Sequence, residues 1–205
     1  MNEYSAFDAA RQHGGTGGKI VVALERIAEA FRVLLWNEGK AAGLSPLQVQ
    51  LLIFLLHHTD EEKRKVGRLA AEFNMTKPTV SDAVKALVAK GLAKKIPDPV
   101  DHRSFSLALS SDGEDYARLA SHFSSEIQAP IELLSHDEQA ELLLHLLGII
   151  RHLNRAGVIT TQRMCFNCAH YRQNYDHSAH FCQLMNTPLL VSELRIDCPE
   201  HETAH

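Results

Sequence analysis

At 205 residues and 45% hydrophobic content the chain can bury a core, which excludes wholesale disorder and leaves room for one sizeable domain plus a small module. The net charge of −4 is unevenly spread: between Glu61 and Arg103 ten Lys/Arg stand against six Asp/Glu, a local +4 that leaves −8 for the rest. A polyanionic partner needs such a basic stretch, not a basic chain. The first 18 residues hold no signal-type apolar run, and the apolar runs 51–56 and 142–150 are too short to span a bilayer. A cytoplasmic address without a membrane partner is therefore expected. In a reducing compartment the four cysteines point to metal ligation or redox chemistry before disulfides.

Residues 1–18, which include Gly14-Gly-Thr-Gly-Gly18, read as a flexible arm. Ile20, Leu24, Ile27, Phe31 and Leu34 then recur at spacings of four and three, the apolar stripe of a helix that ends near Gly39. Ser45-Pro46-Leu47-Gln48 is a capping-box start for a second helix to about His58. A short helix over about 65–73 and a break at Asn74-Met75 follow. Thr76 and Pro78 open a fourth helix, with Val80, Val84, Leu87 and Val88 on one face and Gly91 at its end. Residues 92–96 and 104–109 read as a two-stranded hairpin around a turn-rich tip at 97–102. Ser111 with Glu114, and Ser135 with Glu138, are further capping-box starts, for helices to about Pro130 and about Asn154.

The expected fold is therefore mainly α with a small β-hairpin wing: a winged helix-turn-helix plus a helical region, residues 19–157, followed by a metal-binding C-terminal module at 158–205. Such an arrangement suits B-DNA, whose major groove admits the second helix of the pair. Thr76, Lys77, Thr79, Ser81, Asp82 and Lys85 lie off the apolar stripe as candidate DNA contacts, and Lys90, Lys94 and Lys95 carry positive charge toward the wing, where phosphates would run. An ordinary solvated helix also has a polar face. Helix order, charge asymmetry and wing together favour double-stranded DNA.

Asp101-His102-Arg103, then three residues, Leu107-Ala-Leu109-Ser110, two residues and Gly113 resemble the wing signature of the multiple-antibiotic-resistance regulator (MarR) family. Lys77-Pro78-Thr79-Val80-Ser81, Leu87 and Gly91-Leu92 resemble that family's recognition helix, and the resemblance extends over about 20–154. It implies a homodimeric transcription regulator, commonly a repressor, whose first and last two helices interlock on a pseudo-palindromic operator. It also implies Arg103 in the minor groove with Asp101 holding it. A long cation at a hairpin tip suits a narrow, negative groove on physical grounds as well, while Asp101 could equally cap the turn. The stripes Ile20–Leu34 and Leu142, Leu146, Ile149, Leu153 are core. Periodicity does not tell whether that core lies within one subunit or between two.

All four cysteines fall in the last fifth of the chain: Cys165-x2-Cys168, thirteen residues, Cys182, fifteen residues, Cys198-Pro199. Such a knuckle sets two thiolates on one side of a tight turn, as tetrahedral zinc or a cluster iron requires. Zinc is the default for a four-cysteine module. The single knuckle and the Cys-Pro ending keep an iron–sulfur cluster as the alternative. Among the tail histidines 170, 177, 180, 201 and 205, His180 is the best substitute ligand. The centre either senses metal or redox state or is structural, in which case a small aromatic acid is the expected effector. An enzyme is not expected, because four thiolates would fill a metal's open position and none of H-E-x-x-H, a Walker loop or G-x-S-x-G occurs.

Overall fold

The computed structural model describes residues 5–8, 15–101 and 103–204. The helices are α1 (Thr16–Lys40), α2 (Pro46–His57), α3 (Val66–Glu72), α4 (Lys77–Ala89), α5 (Ser111–Ala120), α6 (Ser125–Glu132) and α7 (His136–Arg155). Strands β1 (Ala93–Pro97) and β2 (Phe105–Leu109) form an antiparallel hairpin between α4 and α5. The mainly helical, hairpin-bearing architecture is the one expected. Helix α1 already begins at Thr16, within the stretch read as an arm; residues 1–4 and 9–14 of that stretch lie outside the described residues.

The chain divides into two compact units. One takes residues up to Lys65 together with Ser81–Ser125. Its centre is α2, apolar all round and therefore buried, with Val49, Leu51, Leu52 and Leu55 almost fully enclosed where α1, α5 and β2 pack on it. The predicted capping box is present, Gln48 N donating to Ser45 Oγ and Ser45 N to Gln48 Oε1. Two residues of the wing signature have local work. Ser110 Oγ donates to Gly91 O (2.6 Å) and accepts from Gly113 N (3.0 Å), and Gly113 passes so near Leu92 O that a Cβ would overlap it. Ser110 is thus the cap of α5, one residue earlier than the Ser111–Glu114 box expected, because Ser110 can tie both ends of the hairpin to the helix. That helix also stops at Ala120 rather than near Pro130. In the serine-rich 121–125 the backbone tightens to three-residue-apart bonds (His122 N to Leu119 O, Phe123 N to Ala120 O), and Ser121 and Ser125 hydroxyls donate to Arg118 O and His122 O.

The other unit takes Val66–Val80 with residues from Glu126 onward. Helix α7 opens on the predicted Ser135–Glu138 capping box, whose hydrogen bonds hold the Glu138 carboxyl below its ordinary range. Leu147 is buried with Met164, Leu189 and Leu194, and Leu143, Leu144 and Ile150 join them. The stripe Leu142, Leu146, Ile149, Leu153 lies elsewhere on α7 and is open or half-buried in the single chain. The tail is an ordered module, with β3 (Tyr171–Tyr175), β4 (Ser178–Cys182) and β5 (Thr187–Pro188) in an antiparallel sheet and single 3-10 turns at Cys165–Asn167 and Val191–Glu193.

Candidate nucleic-acid interface and cysteine site

Helix α4 begins on a Thr76 cap: Thr79 N donates to Thr76 Oγ1 at 3.3 Å, and the two threonine hydroxyls lie 2.8 Å apart. Val80, Val84 and Leu87 are buried, as the stripe requires, and Thr76, Lys77, Thr79, Asp82 and Lys85 are exposed with Ser81 half-buried. Asp82 accepts from Lys85 Nζ at 2.9 Å, so that lysine's charge is partly balanced on its own helix. In the hairpin Lys94 and Lys95 face solvent opposite Ala108 and Leu107, and Lys95 Nζ lies 4.5 Å from the centre of the Phe105 ring.

The wing tip is organised by Asp98, a residue the sequence reading did not single out. Its Oδ1 accepts from Val100 N (2.9 Å) and Asp101 N (3.1 Å), and its Oδ2 from Lys65 Nζ (3.0 Å). The two backbone bonds, followed by the lysine, lower its carboxyl to about 2. An aspartate two residues ahead of a free N–H is an Asx-turn signal, so Asp98-Pro99-Val100 could have disclosed it. Asp101 does cap the turn, accepting from Arg103 N at 3.0 Å, and its carboxylate is also 3.7 Å from Arg103 Nε. The Arg103 side chain is 96% exposed. His102 of the motif lies outside the described residues.

Residues 42–104, from the α1–α2 connection to the wing, match the model of the MarR family. With the helix order and the hairpin, this match gives the chain a winged-helix region similar to that of the MarR family. Solved structures similar to it include the S. aureus MepR–DNA complex (20% identity, TM-score 0.57, covering 65% of this chain and 97% of that one). S. aureus MepR in its DNA-binding conformation is similar too (20%, 0.58, 65% and 98%), as is a MarR transcriptional regulator from Methanosarcina mazei Go1 (17%, 0.57, 67% and 97%). At these identities the likeness is one of fold. No curated protein matches the sequence. About a third of this chain lies outside each likeness.

The cysteine tail is built around one hollow. Cys165, Cys168, Cys182 and Cys198 all line a cavity of about 40 Å³, with Tyr171, Leu189 and Met185 among its walls. All four are free thiols, half-buried. Arg195 N donates to Cys165 Sγ at 3.2 Å, and Cys198 Sγ donates to Glu200 Oε2 at 3.4 Å. Burial pushes the Cys165 thiol up, with Cys168 and Cys182 adding to it, and burial raises that of Cys198. Among the described residues no three His, Cys, Asp or Glu side chains stand where they could hold one metal ion. His180 is not at this hollow: it is buried, its Nδ1 lies 2.6 Å from Tyr171 Oη, and burial lowers its pKa. His170 lines the cavity instead, 3.4 Å from Glu202, and His205 lies outside the described residues. No helix among the described residues is long and apolar enough to cross a membrane.

Proposed function

We propose that the protein is a sequence-specific, DNA-binding transcription regulator, acting as a homodimer, whose affinity for its operator is tuned by a centre bound to the four tail cysteines. The observation that carries the DNA reading is the wing tip. An exposed Arg103 cation follows a turn in which Asp98 accepts from Val100 N, Asp101 N and Lys65 Nζ, beside a hairpin bearing Lys94 and Lys95. A cation beside such a turn can enter a minor groove without first ordering its own loop. That fold neighbours were solved on DNA, or in a DNA-binding conformation, supports the same reading. A dimer is supported by apolar side chains that the single chain leaves open, Ile20, Ile27 and Trp36 on α1 and Leu142 and Ile149 on α7. Repression is carried over from the family resemblance.

For the centre, the four thiols that line one hollow would serve a zinc ion or an iron–sulfur cluster. A cluster would be held by Cys165, Cys168, Cys182 and Cys198, and the Arg195 amide aimed at Cys165 Sγ is the kind of hydrogen bond that tunes such sites. When bound, it would supply redox or iron responsiveness.

Selection from a random duplex pool tests the DNA reading, with enrichment of an inverted repeat of half-sites about 10 bp apart expected. An unenriched pool would contradict it. Anaerobic purification with iron, sulfide and zinc analysis tests the centre. Brown protein containing sulfide supports a cluster, and colourless zinc protein supports a single ion.

A further inference from the structure

The unit that holds the cysteine tail also holds residues 66–80, which carry the turn of the helix-turn-helix and the first candidate DNA contacts. The Arg163 side chain spans the two. Arg163 directs Nη1 and Nη2 to the two oxygens of Glu72 (2.8 and 3.0 Å), and Nε and Nη2 to those of Asp197 (2.5 and 3.2 Å). One guanidinium is thus forked between two carboxylates, itself mostly buried, and Glu72 before Asp197 raises its pKa further above the ordinary arginine value.

Both ends of this clasp are informative. Asp197 immediately precedes Cys198, and Arg163 lies two residues before Cys165. Cys198 N donates to Arg163 O (2.9 Å) and Cys165 N to Arg195 O (3.0 Å), so the two cysteine-bearing segments are laced together at the clasp. Glu72 is the last residue of α3. Beside it Thr160 Oγ1 donates to Ala71 O (2.8 Å), and Asn74 Nδ2 donates to Val158 O (3.2 Å). Asn74 is in the left-handed region (φ 51°), the pivot of the break that leads to Thr76 and Lys77. The linker 158–163 is therefore fastened to the pivot of the helix-turn-helix at one end and to the cysteine site at the other.

We infer that Arg163 is a positioning residue that passes the state of the cysteine site to the helix-turn-helix, through its forks on Asp197 and Glu72. The inference rests on the proposal that the four cysteines bind a regulatory centre. A change in the spacing of Cys165 and Cys198 has to move the Arg163–Asp197 fork, and the opposite fork carries that movement to the end of α3. Surface pairs contribute little, but a bidentate pair with a mostly buried arginine is geometrically stringent.

The test uses the full-length chain, reconstituted anaerobically with ferrous iron and sulfide and compared with the same protein stripped by EDTA and ferricyanide. In the wild type, hydrogen exchange at residues 71–77 and affinity for a selected duplex should each differ between the two forms, by about tenfold. Glu72→Gln should abolish both differences while leaving iron content and the visible spectrum as in the wild type. Asp197→Asn, which opens the clasp from the other side, should do the same, so a folding defect in one variant does not decide the matter. Full retention of the wild-type differences in both variants would overturn the inference, as would loaded and stripped wild-type forms that match in exchange and affinity. Protein that takes up no iron, sulfide or zinc would instead overturn the cysteine reading beneath it.

Discussion

Truncating Arg103 to alanine should separate DNA binding from folding. Its side chain is 96% exposed, its charged contact among the described residues is Asp101 at 3.7 Å, and the turn uses its backbone N–H, which donates to Asp101 Oδ1. Surface truncations of this kind change stability by no more than about 0.5 kcal/mol, so thermal unfolding should be unmoved. A groove contact of a long cation contributes on the order of 1–3 kcal/mol, or roughly 5- to 150-fold in Kd. Fluorescence anisotropy on a selected duplex, at several salt concentrations, reads this directly. Because Arg103 would enter a minor groove whose width depends on sequence, the loss should be larger on the selected duplex than on a scrambled one. Wild-type affinity at every salt concentration would refute the wing assignment, and an equal loss on both duplexes would reduce Arg103 to a phosphate contact.

Lys94→Ala should weaken binding to both duplexes alike and reduce the salt slope by about 0.9 for each phosphate that its ammonium group would neutralise; an unchanged slope removes it from the interface. Leu147→Ala, at the centre of the core that the tail shares with α7, should cost about 2–5 kcal/mol, seen as faster proteolysis within 158–204. Ile149→Glu should shift the dimer toward monomer in sedimentation equilibrium, since Ile149 is open in the single chain, and an unchanged dimer would exclude that face. The Asp98 carboxyl sits at about 2 in the folded wing against an ordinary 3.8. Its contribution is therefore complete above about 4 and lost as pH falls toward 2, so wing resonances should broaden or shift over that window in wild type but not in Asp98→Asn.

The winged-helix part was legible because local chemistry specifies it. Ser45 and Ser135 carry their own caps, Val80, Val84 and Leu87 keep a helical period, and Phe105, Leu107 and Leu109 alternate around a turn. The tail sheet was not legible. Its first strand, Tyr-Arg-Gln-Asn-Tyr, is almost wholly exposed and shows no alternation. The β3–β4 turn sets Asp176 and His177 at positive φ, where Asn-Gly would have announced a hairpin. The site was half legible. Clustering marked the four cysteines that line one cavity, and the motif marked the arginine that stands exposed beside the wing turn. The Arg163–Glu72 fork joins residues 91 apart, for which no local pattern exists.

Specific recognition of duplex DNA is read from the ratio of two dissociation constants. Purified full-length protein would be titrated at about 150 mM salt onto its selected inverted repeat and onto a scrambled duplex of the same length. A ratio of at least about 10³ in favour of the repeat is the expected result. Equal affinity for the two would contradict the account.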